Sequence, residues 1–318
     1  MAVHIPLSGA EVARVRFAIS PLGETTLALR ALLREGAHAV HRPWLRMARP
    51  LVDDVLEQPT VAHVLSRCLP SFLFPVPGTR EPSFEDEIAL LRSTDTDFAR
   101  AELAAALGDS TPLGADPVGT LNVLADTLER FHTRVVAPHW GRVRAVLNAD
   151  VDARARTLTG TGVEGLFQEL HQDIAWREGE LVVHGGRRPG SPYRVDVAGH
   201  GLVLMPSAFA WPDVYADTAP VTAGSVRYPA RGVGLLWERP APVPDGLAAV
   251  IGRTRAALLG LLAEPLTTAQ LAVRAGVTPS AVSQHLGALR AAGLVATRRH
   301  GRSAIHLRTE RAAQLTCY

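Results

Sequence analysis

Apolar residues change their period along this chain, and the changes divide it. Through the first half, leucine, alanine and valine return at spacings of three and four, the pattern of helices that bury one face. That spacing predicts helices over 25–34, 44–56, 84–92, 96–107 and 117–136, with Pro21, Pro43 and Pro59 near their starts. The run Leu69-Pro70-Ser71-Phe72-Leu73-Phe74-Pro75 interrupts them as an apolar connector. From about residue 180 the period falls to two. Leu181-Val182-Val183-His184, Tyr193-Arg194-Val195-Asp196-Val197, Leu202-Val203-Leu204-Met205 and Ser225-Val226-Arg227-Tyr228 read as short strands between Gly and Pro turns. A proline-rich linker, 238–245, follows.

Beyond the linker the helical period returns with sharper punctuation. Thr267 and Thr268 offer side-chain oxygens to cap the run 269–275, and Gly276 supplies the positive φ that ends it. Thr278 then caps a second helix, with Pro279 at its first position. Val282, Leu286 and Leu289 form its buried stripe, which leaves Ser280, Ser283, Gln284 and Arg290 outside, and Gly293 stops it. Two helices joined by about three residues make a helix-turn-helix corner. Strand-like runs at 294–298 and 303–307 follow, joined through Arg299-His300-Gly301-Arg302, so the expected module is a helix-turn-helix with a basic hairpin wing.

Charge changes the picture at the same place. Residues 247–318 hold nine arginines against two acids, Glu264 and Glu310, a net of +7. The preceding 246 residues hold 24 arginines against 29 acids, a net of −5. The overall +2 conceals this asymmetry, which is the electrostatic footprint of a polyanion-binding module. Composition excludes other classes. The two cysteines, Cys68 and Cys317, cannot build a disulfide framework, there is no N-terminal apolar segment of a leader, and no apolar run approaches the roughly 18 residues of a membrane span. A cytoplasmic protein without a membrane partner is expected.

The segments Ser283-Gln284-His285-Leu286, Leu289-Arg290-Ala291-Ala292-Gly293-Leu294-Val295 and Arg298-Arg299-His300-Gly301-Arg302 resemble the recognition helix and wing of ArsR-like winged helix-turn-helix transcriptional regulators. The resemblance begins near residue 247 and implies double-stranded DNA as the partner. It implies groove contacts from Ser280, Ser283, Gln284 and His285, and phosphate or minor-groove contacts from Arg290, Arg298, Arg299 and Arg302. Thr268, Thr278 and His300 complete the candidate interface. His285 stays open between reading bases and packing its helix, and Gln284, with its two-sided amide, is the better candidate for adenine. Metal-sensing relatives place Cys or Asp/His ligands in the first helix or after the wing. This chain has no Cys or His within 269–275 and only ten residues after 308, so no metal site is expected. The segments Phe17-Ala18-Ile19-Ser20-Pro21-Leu22, His41-Arg42-Pro43-Trp44, 206–212 and Tyr228-Pro229-Ala230-Arg231-Gly232 resemble an N-terminal module of no established activity that accompanies such winged helices in high-GC bacteria.

Other motifs point to blander roles. Gly160-Thr161-Gly162-Val163-Glu164-Gly165 has dinucleotide-fingerprint spacing but follows the polar run Asp152-Ala153-Arg154-Ala155-Arg156 where an apolar strand is needed, so a plain loop is expected. His38 and His41 stand at metal-ligand spacing without a third ligand and are read as hydrogen-bonded structural histidines. His132 and His139, beside Trp140, are separated by Pro138, which is expected to break any helix joining them. Trp176, Trp211 and Trp237 with Tyr193, Tyr215 and Tyr228 are read as core and turn packing, with an apolar ligand pocket as the alternative.

The chain is therefore expected to be α+β and mainly α, with a helical region over 1–160, a β-rich region over 161–240 and a winged helix-turn-helix over 247–318. The expected function is a homodimeric, sequence-specific DNA-binding regulator whose body dimerises and senses a small-molecule effector. The alternative is an enzyme or ligand-binding protein with an appended winged helix. No nucleophile elbow, His-Glu-x-x-His or P-loop is present, so neither catalysis nor a cofactor is expected.

Overall fold

A computed structural model of the chain describes residues 2–34, 39–108, 116–184, 194–197, 201–217, 224–237, 245–263, 266–300 and 303–316. Contacts divide the chain into two units, Met1–Gly234 and Leu235–Tyr318. The fold is α+β with helices predominating and a helix-turn-helix at its C-terminal end.

Strand β1 (Ala2–Pro6), the short helix α1 (Gly9–Val12) and β2 (Arg16–Phe17) lead into α2 (Pro21–Leu33). Ser20 caps α2 by accepting from Gly23 N at 2.9 Å, and Pro21 fills its first turn. Nearly every residue of α2 is buried, including Glu24, Thr25 and Thr26, which makes it a central helix. Around it run α3 (Arg42–Ala48), α4 (Asp53–Leu56), α5 (Pro59–Arg67), α6 (Phe84–Arg92), α7 (Thr96–Leu107) and α8 (Pro117–Phe131), of which α5, α6 and α8 pack directly on α2. The single helix expected over 44–56 is divided, because Pro50 cannot donate and a 3-10 turn, Arg49–Leu51, separates α3 from α4.

The second departure is larger. Beyond α8 a π-helical turn, His132–Val136, runs straight into α9 (Ala137–Gln168). Pro138 does not break the path from His132 to His139. It sits in the first turn of α9, where its missing N–H is tolerated, and the wider π turn precedes it. The glycine run 160–165, expected as a loop, also lies within α9, which kinks at Gly162 where φ is +74°. No strand precedes these glycines, so a helix stands where a dinucleotide fold requires a strand and turn.

The sheets join both ends of this unit. A hairpin of β3 (Ile174–Arg177) and β4 (Glu180–His184) turns through Glu178 and Gly179, both at positive φ. Strand β1 pairs antiparallel with β4, placing Val3 opposite Val183. The second sheet has the order β2-β5-β7-β6, with β5 (Val203–Ser207), β6 (Tyr215–Asp217) and β7 (Ser225–Pro229). Strand β5 runs parallel to both β2 and β7 and is buried throughout, as strands covered on both faces are. The regions 1–160 and 161–240, distinct in pattern, thus share two sheets within one unit. Arg194 makes one parallel bridge to His4; Tyr193, with most of the 238–245 linker, lies outside the described residues.

In the second unit, α10 (Asp245–Ile251) and α11 (Arg253–Leu261) precede β8 (Leu266–Thr267), α12 (Thr268–Ala275), α13 (Pro279–Ala291), β9 (Val295–His300), β10 (Ser303–Arg308) and α14 (Glu310–Thr316). Leu258, Leu259, Leu271, Val282, Leu286, Leu289 and Leu294 form its core. Gly252, at φ +87°, separates α10 from α11.

Candidate nucleic-acid interface

Local chemistry fixes both helices of the corner. Thr267 Oγ1 accepts from Gln270 N at 3.3 Å while Gln270 Oε1 accepts from Thr267 N at 2.8 Å, a reciprocal cap that starts α12. Gly276 ends it at φ +65°, with Val277 N donating to Ala272 O at 3.1 Å. Thr278 then caps α13 through its Oγ1, which accepts from Ala281 N at 3.3 Å. The same closure recurs at the far end, where Gly293 lies at φ +69° and Leu294 N donates to Leu289 O at 2.9 Å. Glycine-closed termini at both helices fix the turn geometry without help from long side chains.

This capping sets which face of α13 looks outward. Val282, Leu286 and Leu289 are buried. Ser280, Ser283 and Gln284 are exposed on the opposite side. One turn further, Ala288 is exposed and Gly287 faces open space, so nothing bulky stands beside the polar residues. Ser280 Oγ lies 3.0 Å from Thr278 Oγ1, which ties that hydroxyl to the cap. His285 is half-buried, and its Nδ1 is shielded without a hydrogen-bond partner among the described residues. Arg290 is exposed, and its Nε donates to Leu286 O at 3.3 Å.

Strands β9 and β10 pair antiparallel from Val295–Arg308 to His300–Ser303, and β8 joins the far side of β10. Arg298, Arg299 and His300 lie on β9; their side chains, and Arg302 with Gly301, fall outside the described residues. Thr268, expected at the interface, is engaged inside the unit. Its Oγ1 lies 3.0 Å from His306 Nε2, and His306 Nδ1 lies 2.8 Å from Thr297 Oγ1. Burial and, behind it, the charge of Arg290 hold the His306 imidazole below its ordinary pKa. A neutral ring with one donor and one acceptor can bridge two hydroxyls, and here it ties α12 to both hairpin strands. The alternation of β10 places His306 inward, the one signal from which this role could have been read.

The other sequence candidates take structural places. His41 is fully buried, with Nε2 3.0 Å from Ala208 O and its ring against Phe209; His38 lies outside the described residues. Tyr228 is buried and donates to Asp150, while Trp176 packs on Phe167. Among the described residues no three His, Cys, Asp or Glu side chains gather as metal ligands, and no helix is long and apolar enough to cross a membrane.

Residues 253–298, from the start of α11 to within β9, match the family described as a helix-turn-helix domain. Residues 110–234 match a family of unknown function (DUF5937). No curated protein and no solved structure matches the chain. The chain thus carries a helix-turn-helix domain, the kind of module found in DNA-binding regulators, after a segment that matches a family of unknown function.

Proposed function

We propose that this protein is a sequence-specific transcriptional regulator of ArsR-like, winged-helix type. Helix α13 enters the major groove of a double-stranded operator, and the β9–β10 hairpin is the wing that lies on the backbone or minor groove. The reading is carried by one observation: Ser280, Ser283 and Gln284 share the exposed face of a helix whose opposite face is core, in a segment of net charge +7. Gln284 reads a base edge, most simply adenine, while Arg290, Arg298, Arg299 and Arg302, with His300, hold phosphates. Thr278 and Ser280 brace the entry of the helix. The first unit dimerises the protein, setting two recognition helices about 34 Å apart, and receives a small-molecule effector. It has no catalytic role.

Sequencing the genomic DNA that co-purifies with the protein tests this directly, and a recurrent site with two symmetric halves is expected. On that site Gln284→Ala should cost about 1–3 kcal/mol and relax discrimination at one base. Arg299→Ala should weaken cognate and random duplexes alike and lower the salt slope by about one. Equal losses on cognate and random DNA for Gln284→Ala would remove Gln284 from the readers.

A further inference from the structure

In the first unit a cleft of about 400 Å³ opens between the start of α2, the start of α6 and the first turns of α9. That volume falls in the range of small-molecule sites. Ile19, Pro21, Phe84 and Trp140 supply apolar walls, and His132 lies at the π-helical turn behind them. Turns of this kind occur often at binding sites.

The protonation of His132 follows from its neighbours. Thr25 donates its single hydroxyl proton to Pro21 O at 2.7 Å. Its 2.9 Å contact with His132 Nδ1 must therefore run the other way, with Nδ1 carrying the hydrogen. Phe84 stacks on the ring at 3.8 Å and 8°, and burial pushes the imidazole down to about 4, so it is neutral near pH 7. Nε2 is left as a bare acceptor. It has no hydrogen-bond partner among the described residues, in a side chain that is only 9% exposed. The same cleft is lined by the Trp140 indole and by Glu85, while Arg144 is paired with Glu81 at 3.2 Å. Arg80 also reaches Glu81, at 4.0 Å, so Glu81 is neutralised twice over and Glu85 is the carboxylate whose charge acts on His132.

We infer that this cleft binds a flat aromatic molecule, neutral or cationic, which places an O–H or N–H donor on His132 Nε2 between the walls formed by Phe84 and Trp140. The acceptor fixes what the ligand must offer, the aromatic walls fix its shape, and the Glu85 carboxylate disfavours an anion beside His132. The inference rests on the effector role proposed for this unit and is independent of DNA binding.

Calorimetric titration of the full chain without DNA tests it with three probes of one shape. 2-Naphthol should bind saturably, while 2-methoxynaphthalene, which lacks the donor, and 2-naphthoate, an anion, should bind about tenfold more weakly or not at all. His132→Phe keeps the stack on Phe84 and removes Nε2, so it should bind naphthol and its methyl ether alike. Trp140→Ala, at a half-buried position, should weaken all binding in a folded protein. In the wild type, ¹⁵N spectra should place the His132 proton on Nδ1, and the Nε2 resonance should shift when naphthol binds. No saturable naphthol binding, equal affinity for the ether in the wild type, or an unmoved Nε2 resonance would overturn the site. Binding with the expected preferences but no change in operator affinity would uphold the site and sink the effector role alone.

Discussion

Asp150 shows how much a single buried side chain can organise. Its carboxylate is 1% exposed, accepts from Tyr228 Oη at 2.8 Å and Arg231 N at 3.1 Å, and stands 3.5 Å from Arg154 Nε. Arg154, equally buried, donates to the carbonyls of Glu169 and Leu170 where α9 ends. One ion pair therefore ties the middle of α9 to its own end and to β7. Removing one partner of such a pair leaves the other charge buried and uncompensated, so Asp150→Ala should destabilise the first unit by about 3–5 kcal/mol in urea unfolding. Asp150→Asn, which keeps an acceptor for Tyr228 but loses the charge, should cost less; equal losses would mean that the charge on its own carries the effect and the Tyr228 hydrogen bond adds nothing. Sequence pattern offered no hint of this pair. Asp150 and Arg154 stand at i, i+4, but the groups that complete the pair, Tyr228 and the carbonyls of Glu169 and Leu170, lie further along the chain.

At the scale of elements, legibility follows how local the causes are. The corner of α12 and α13 was readable because its signals lie within it: the Thr267 and Thr278 caps, Pro279 at the first turn, and the glycines at 276 and 293. The stripe Val282, Leu286, Leu289 was equally plain. Truncating its centre, Leu286→Ala, should cost about 2–5 kcal/mol, seen as a lower melting temperature of the second unit together with lost DNA retention. A change below 1 kcal/mol would mean that α13 is held by something other than this core. Strands β1, β2, β3 and β6 escaped the pattern, being short and half-polar or paired with segments far away in the chain. Helix α9 escaped for another reason: Pro138 falls in its first turn, where the missing N–H is tolerated, and the glycines from 160 to 165 interrupt it only by the kink at Gly162.

Across the whole molecule, the first unit encloses a charge arrangement that pH should expose. Glu24 and Glu87 are both buried near the one guanidinium of Arg227, and burial raises each carboxyl from 4.5 to about 7. The folded chain therefore holds protons that the unfolded chain releases between about pH 4.5 and 7, and stability falls as pH rises through that window. His132 acts in the opposite sense. Its depression from 6.5 to about 4 means that the unfolded chain binds a proton the folded one refuses, so its contribution rises with pH over that interval. Burial lowers His139 in the same sense, so the two imidazoles offset part of the carboxyl effect, and the decline of unfolding free energy with pH should be clearest from pH 6.5 to pH 7, where both rings are losing their charge even in the unfolded chain. Glu24→Gln keeps an acceptor for the amides of Ala208 and Phe209 and should flatten the decline, whereas a profile unchanged by it would show that Glu24 does not titrate there.

Sequence alone determined the character of the second unit: its caps, glycine stops, apolar stripe and arginine concentration all act within a few residues of one another, so the helix-turn-helix and its outward polar face could be read without coordinates. Thr268 marks the edge of that reach, since its hydroxyl turns to His306, a partner 38 positions away. The body was decided by tertiary structure. Its shared sheets, the Asp150–Arg154 pair and the bare Nε2 of His132 all arise from groups far apart in the chain, brought together by burial that leaves no periodic trace. Local propensity is written residue by residue, but the pKa of a buried histidine and the partner of a buried aspartate belong to the packed whole.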